Sequence, residues 1–281
     1  MHACRATYLY TTKIMPKNQS KYSRLPTISL VTPSFNQAKF IRATIDSVLS
    51  QKYPHLEYWI IDGGSTDGTV DILKSYGKKI HWVSENDRGQ SHAINKGLAK
   101  TSGEILAYLN SDDILLPGAL QRVGEYYAKT RADWMTGDCE VIDETGNVIL
   151  RNSRLISSYK RFLLRRYSPL LLRIIDNMLP QPSTFWSRHA YEQIGPFNES
   201  YHYVMDYDYW LRMSKQFRPH DLGVALSGFR AHEESKSETS RAKLMAEGDK
   251  ALAANGATSL ELLLHRAHSA AIRVVYNLLK G

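Results

Sequence analysis

The chain has 281 residues, 43% of them hydrophobic, with 36 Lys and Arg against 28 Asp and Glu for a formal charge of +8. That composition supplies a core and excludes a largely disordered chain. Two cysteines, Cys4 and Cys139, exclude a disulfide scaffold and an all-cysteine metal site. No run reaches the roughly 20 apolar residues that span a bilayer, and the first residues lack the apolar stretch of a secretory signal. The expectation is a cytoplasmic protein with an anionic partner: nucleic acid, a phosphorylated small molecule or an acidic lipid surface.

Residues 1–25 are polar and mixed, and read as a flexible arm. Ile28 to Val31 is an apolar run that stops at Pro33 and predicts a buried strand. Ile41, Ile45, Val48 and Leu49 then repeat at helical spacing. Tyr58 to Ile61 predicts a second strand, Val70 to Tyr76 a short helix and Ile80 to Val83 a third strand. Ala93, Ile94, Gly97 and Leu98 share a helical face, Ile105 to Leu109 reads as a fourth strand, and Leu116, Ala119, Leu120 and Val123 form another helical stripe near Pro117. This alternation predicts a parallel sheet covered on both faces, with ligands at the carboxyl ends of its strands.

Trp134 to Leu150, with Asp143–Asn147 at its middle, predicts a hairpin. A strand near Thr184–Trp186, a helix starting near Asp206, a strand over Val224–Phe229 and a helical stretch over residues 240–281 follow. Between them, residues 151–173 hold seven bases and no acid, interspersed with leucines. This composition suits either a segment lying on an anionic membrane or a linker that packs its leucines on the sheet. Pro169 is expected to break any helix there.

There is no phosphate-binding loop ending in Gly-Lys-Ser/Thr, and Ser65 stands where a dinucleotide fingerprint needs its second glycine. What remains is a set of acids at strand ends. Asp62 closes the second strand, and Asn110-Ser111-Asp112-Asp113 closes the fourth. Two adjacent carboxylates past a strand repel unless a cation sits beside them, and hard oxygen ligands there suit Mg²⁺ or Mn²⁺ with a diphosphate. The plain alternatives are caps: Asp112 or Asp113 for the helix near Pro117, and Asp67 for the helix after it.

Taken in order, Thr32-Pro33-Ser34-Phe35-Asn36, Ser47 to Pro54, Ile61-Asp62-Gly63-Gly64-Ser65-Thr66-Asp67-Gly68-Thr69, Glu85 to Gln90, Asn95-Lys96-Gly97, Thr101 to Glu104 and Leu109 to Asp113 closely resemble the family 2 glycosyltransferases of GT-A fold. The resemblance continues more loosely through Pro180-Gln181-Pro182-Ser183, Gly195-Pro196-Phe197 and Met205 to Arg212. It implies an α/β fold: a Rossmann-like mixed sheet, mostly parallel, flanked by helices, with a C-terminal helical extension. The transferase domain is expected over residues 26–237, its nucleotide-sugar half about 26–115 and its acceptor half about 116–237, with the extension at 238–281.

The same resemblance implies an inverting, metal-dependent glycosyltransferase working on cell-surface glycan or polysaccharide. A nucleotide sugar, UDP-linked by preference, is the donor and a glycan or lipid-linked hydroxyl the acceptor. Pro33, Asp62, Asp87 and Asp112 are expected at the donor. Asp113 and His232 are expected at Mn²⁺ or Mg²⁺, and Asp206 as catalytic base. Many relatives carry a second acid where this chain has Gly63. The first acid of the metal motif is replaced by Asn110. Asp208 has Arg212 at i+4 and is expected to be structural. A peripheral place on the inner face of the cytoplasmic membrane is the matching location. Two rivals are a nucleotidyltransferase making the nucleotide sugar, disfavoured by a first loop without bases, and a non-catalytic transferase-like module. Nucleic acid as partner rests on charge alone, with no motif beside it.

Overall fold

The computed structural model describes residues 24–150, 162–164, 167–175, 179–232 and 241–280. All of the 1–25 arm but its last two residues, and most of the basic segment, lie outside these residues.

Strand and helix alternate at first: β1 (Ile28–Ser34), α1 (Ile41–Leu49), β2 (Leu56–Asp62), α2 (Thr69–Ser75), β3 (His81–Ser84), α3 (Gln90–Leu98) and β4 (Ile105–Tyr108). The order β3-β2-β1-β4 is parallel throughout. Successive side chains leave opposite faces of a strand, so the sheet carries two cores. Ile28, Leu30, Tyr58, Ile60, Ile105 and Ala107 pack on one face with Ile41, Ile45 and Val48 of α1. Val31, Ile61, Leu106 and Tyr108 pack on the other with Ala93, Ile94 and Leu98 of α3. Each fully buried Ile or Leu contributes about 1.5–3 kcal/mol relative to exposure. The close seat of α3 depends on Gly97, where a Cβ would lie 2.4 Å from Val31 Cγ1.

The second half is mixed. It comprises β5 (Ile114–Leu115), α4 (Ala119–Thr130), β6 (Trp134–Ile142), β7 (Val148–Leu150), α5 (Pro169–Ile174), β8 (Thr184–Ser187), α6 (Arg188–Ile194), α7 (Met205–Met213) and β9 (His220–Arg230). β8 joins β4 and β6 antiparallel, β6 runs parallel to β9, and β5 closes the far edge against β9. α8 (Arg241–Ala254) and α9 (Ser259–Lys280) follow. Trp134, Trp186, Tyr209 and Trp210 fill the core beneath α7, with ring centroids 5.4–5.6 Å apart.

One sequence reading holds and one changes. Helical residues at 162–164 give way to non-helical Tyr167 and Ser168, and Pro169 stands at the first position of a new helix, α5, so the break falls where Pro169 is expected to put it; Ser168 caps α5 by accepting the Leu171 N–H at 3.2 Å. The α4 stripe begins at Ala119 after a left-handed Gly118, and neither Asp112 nor Asp113 caps it. Among the leucines of the basic segment, Leu163, Leu164 and Leu172 are buried, as the packing alternative expects, while Leu170 is half exposed.

Candidate active site at the carboxyl edge of the sheet

The parallel register aligns three strand ends: Ser34 lies opposite Asp62, and Asp62 opposite Ser84. Asp62 is fully buried. Its Oδ2 accepts the Gly64 and Ser65 N–H groups and the Ser84 hydroxyl at 3.2, 2.9 and 2.6 Å, and its Oδ1 accepts the Ser65 hydroxyl. The carboxylate therefore shapes the turn at 63–65. That turn is fastened to the loop after β1, because Asn36 N–H donates to Ser65 Oγ and Thr66 N–H returns a bond to Asn36 Oδ1. Asp67 accepts the Ala38 and Thr69 N–H groups, so it opens α2 and braces α1 together. Pro33 is buried beside Ile61, and Phe35, next but one, leaves its ring 60% exposed at this edge.

Asp87, beyond β3, reaches the same turn. Its Oδ1 accepts the Gly89 N–H at 2.7 Å, and its Oδ2 lies 2.8 Å from where a Cβ on Gly63 would stand. The Asp87 carboxylate thus occupies the space above the residue that lacks an acid.

The second cluster forms past β4. Asp113 is fully enclosed. Its Oδ1 accepts the Arg230 N–H at 3.0 Å, and its Oδ2 accepts from Asn110 at 3.3 Å. Burial, reinforced by the charge of Asp112, pushes its carboxyl well above the usual range. Asp112 points the other way, to within 3.0 Å of His232 Nε2. Arg230, itself buried, donates to the carbonyls of Asp112, Asp143 and Glu144 and so ties β9 to two loops. The His232 ring rests 4.8 Å from Phe40. Thr44 of α1 donates its hydroxyl to the Ser111 and Asp113 carbonyls, which fixes the loop from below.

An amide chain joins the clusters. Gln90, opening α3, donates to Asn110 Oδ1 at 2.7 Å; Asn110 donates to Gln181 Oε1 at 3.3 Å; Gln181 donates to the Tyr108 carbonyl at 2.8 Å. Arg230, Gln90 and Gln181 were not singled out by sequence, although Gln181 stands in the Pro-Gln-Pro-Ser run and Arg230 two residues before His232.

α7 brings its first turn to the same edge. Ser91 of α3 donates to Met205 Sδ and to the Tyr201 carbonyl, which seats α7 against α3. Burial pushes the Tyr108 phenol far up, and the charges of Asp206 and Asp113 push it the same way. Asp206 is half-buried, and its Oδ1 accepts the Tyr207 N–H at 2.8 Å; the residue capping α7 is Val204 instead. Asp208 is buried. It takes Arg212 Nε at 3.0 Å and Asn255 Nδ2 at 3.1 Å, the structural part expected of it. Arg88 and Lys96, the bases nearest the α3 end in sequence, pair with Glu199 and Glu85.

The model of the glycosyl transferase family 2 matches residues 29–191. The chain belongs to that family. Among its relatives, the chain is 46% identical over 92 residues to TuaG of Bacillus subtilis, a glycosyltransferase named for teichuronic acid biosynthesis, covering 31% of this chain and 36% of that one. It is 27% identical to the hyaluronan synthase of Pasteurella multocida over 75% of this chain and 21% of that one. An uncharacterized glycosyltransferase of Rickettsia typhi is 27% identical over 73% of this chain and 64% of its own length. The chain thus spans less than two thirds of the length of these relatives. Its fold is GT-A: it superposes on the mannosyltransferase PcManGT of Pyrobaculum calidifontis, solved with GDP-Man and Mn²⁺, with a TM-score of 0.67 at 17% identity over 88% of this chain and 70% of that one. On TarS residues 1–349 of S. aureus, solved with UDP-GlcNAc, the TM-score is 0.63 at 15% identity over 86% and 71%.

Among the described residues no three His, Cys, Asp or Glu side chains converge as a metal site. Asp112 and His232 offer one oxygen and one nitrogen. Such a pair fits a Mg²⁺ or Mn²⁺ that arrives with its donor, because these ions commonly bind through one or two protein ligands and complete their shell with phosphate and water.

Proposed function

We propose that the transferase moves a sugar from a nucleoside-diphosphate sugar to a hydroxyl of a glycan or lipid-linked acceptor, inverting the anomeric centre, in cell-surface glycan or polysaccharide synthesis. The observation that carries this reading is the Asp112–His232 pair past the carboxyl end of β4, set beside the enclosed Asp113. Residues 26–115 would hold the donor, 116–237 the acceptor, and 238–281 form the extension.

Within the donor half, Asp62 acts through the turn it holds, and Pro33 sets the strand end. Asp87 is then the acid left to face the nucleoside, with the exposed Phe35 ring as its apolar wall. The resemblance makes Asp113 the metal ligand. Its enclosure argues for a different assignment: Asp112 and His232 hold the ion, and Asp113 holds the loop. When bound, Mg²⁺ or Mn²⁺ acts as a Lewis acid on the diphosphate. Asp206 accepts the acceptor's hydroxyl proton as that oxygen bonds to the anomeric carbon and the bond to the diphosphate breaks. One base on the face opposite the leaving group gives inversion.

The relatives' names and the family support a transferase over a nucleotidyltransferase, and the loop after β1 is spent on bonds to Ser65 and Thr66, with its base Lys39 paired to Glu144. The test is a panel of UDP-, GDP- and dTDP-sugars, each with Mn²⁺ or Mg²⁺. A donor should raise the melting temperature by mass action and release nucleoside diphosphate. Release of pyrophosphate from a sugar phosphate and a nucleoside triphosphate would establish the rival instead.

A further inference from the structure

α9 runs 22 residues and is amphipathic in an unusual sense: its apolar stripe faces out. Leu260, Leu263, Leu264, Ala267, Ala271 and Val274 are all exposed, the first three and Val274 at 63, 62, 41 and 58%. At 3.6 residues per turn they fall within an arc of about 100°. The helix packs its other side on the domain: Glu261 binds Arg173 of α5 at 3.2 Å, and His265 stacks on Tyr207 of α7. No acid stands among the described exposed residues of α9. Arg266, bonded to Asp249 yet still exposed, lies about 60° beyond one edge of the stripe.

We infer that this face of α9 lies on a bilayer surface containing anionic lipid. An apolar stripe of several leucines without described acids, on a chain of charge +8 and with Arg266 on its flank, is complementary to that surface. The helix lies along the surface: no described helix is long and apolar enough to cross a membrane. The inference moves the lipid contact away from the basic segment, whose Leu163, Leu164 and Leu172 are committed to the core. It also has a geometric use. His265 touches the residue next to Asp206, so a lipid-linked hydroxyl held in that bilayer would approach the α7 end of the site.

The experiment is flotation of the full chain with phosphatidylcholine vesicles, with and without phosphatidylglycerol, at 0.1 and 0.5 M salt. The wild type should bind the anionic vesicles at least about tenfold better than the neutral ones and less well at high salt. The double substitution Leu260→Asp/Leu263→Asp, and separately Val274→Asp, should each lose at least about tenfold in binding with an unchanged melting temperature. Absent or equal binding to both vesicles, or variants that bind like wild type, overturns the inference. So does a solution dimer that the same substitutions dissolve, which would make a second copy the occupant. Donor turnover in vesicle-free buffer is read on the same samples: turnover without vesicle binding refutes the surface alone, and binding without turnover supports it while refuting the transferase reading.

Discussion

Asp113 accepts the Arg230 N–H inside the protein, while Asp112 keeps 24% of its side chain exposed beside His232. The two should therefore fail differently. Asp112→Ala should remove the metal-dependent part of donor binding with little change in melting temperature. Asp113→Ala leaves a buried N–H without its acceptor and should cost about 1–3 kcal/mol of stability, seen as a lowered melting temperature. Calorimetry of donor binding with and without metal, beside thermal melts, separates them; loss of metal dependence only in Asp113→Ala, at unchanged stability, would restore Asp113 as the ligand. Asp206 and Asp208 invite the same comparison. Asp206→Asn should lower kcat by about 10²–10⁴-fold with donor affinity kept. Asp208→Asn weakens the bond to Arg212 and should show first as lost stability. Retained anomeric configuration in the product, read by NMR, would refute the single-base mechanism.

At the scale of elements, the amide chain from Gln90 through Asn110 to Gln181 explains an asparagine where the motif ordinarily has an acid. Asn110 gives hydrogens to both Gln181 and Asp113. Asn110→Asp keeps the shape, loses both donations and adds a charge beside two others. The expected result is weaker donor binding and a lower melting temperature, not a gain in metal affinity; a titration with Mn²⁺ and donor decides it. What sequence could show here was local. The apolar alternation of β1, β2 and β4 and the stripes of α1 and α3 recur within a few residues, so their periods were readable. β5 has two residues and therefore no period; it exists because β9 offers Gly228 and Ser227 as partners. The Arg230–Asp113 bond joins positions 117 apart, and no local pattern marks such a pair. The break at Pro169 was readable because its ring cannot continue a helix from before it and suits the first position of a new one.

For the whole molecule, Glu57 joins the elements remote from the site. It accepts the Ser29 and Ser102 hydroxyls and the Ser102 and Gly103 N–H groups, tying β1, β2 and the start of β4. Burial alone would raise its pKa, but those four bonds prevail and hold it below the ordinary value. A lowered carboxyl contributes stability that is present above the unfolded value near about 4.3 and is lost as pH falls through the folded value. Glu57→Gln should therefore flatten the acid limb of a stability–pH curve measured by urea melts between pH 3 and 6. A mutant whose acid limb matches wild type would remove Glu57 from that dependence. The fold class was legible at this scale because alternation of strand and helix admits few topologies. The facing of the acids was not, since burial of Asp62 and Asp113 depends on partners contributed by distant strands.

Gly63 and Asp87 share one volume, and that constrains the order in which this site could drift or be redesigned. An added methyl at 63 would sit 2.8 Å from Asp87 Oδ2, so the carboxylate would have to swing away and give up the Gly89 N–H, a loss of about 1 kcal/mol or more. An aspartate at 63 would add like charge to the collision. An acid at 63 would therefore have to be accommodated by a change at 87, and the two positions are expected to vary as a pair.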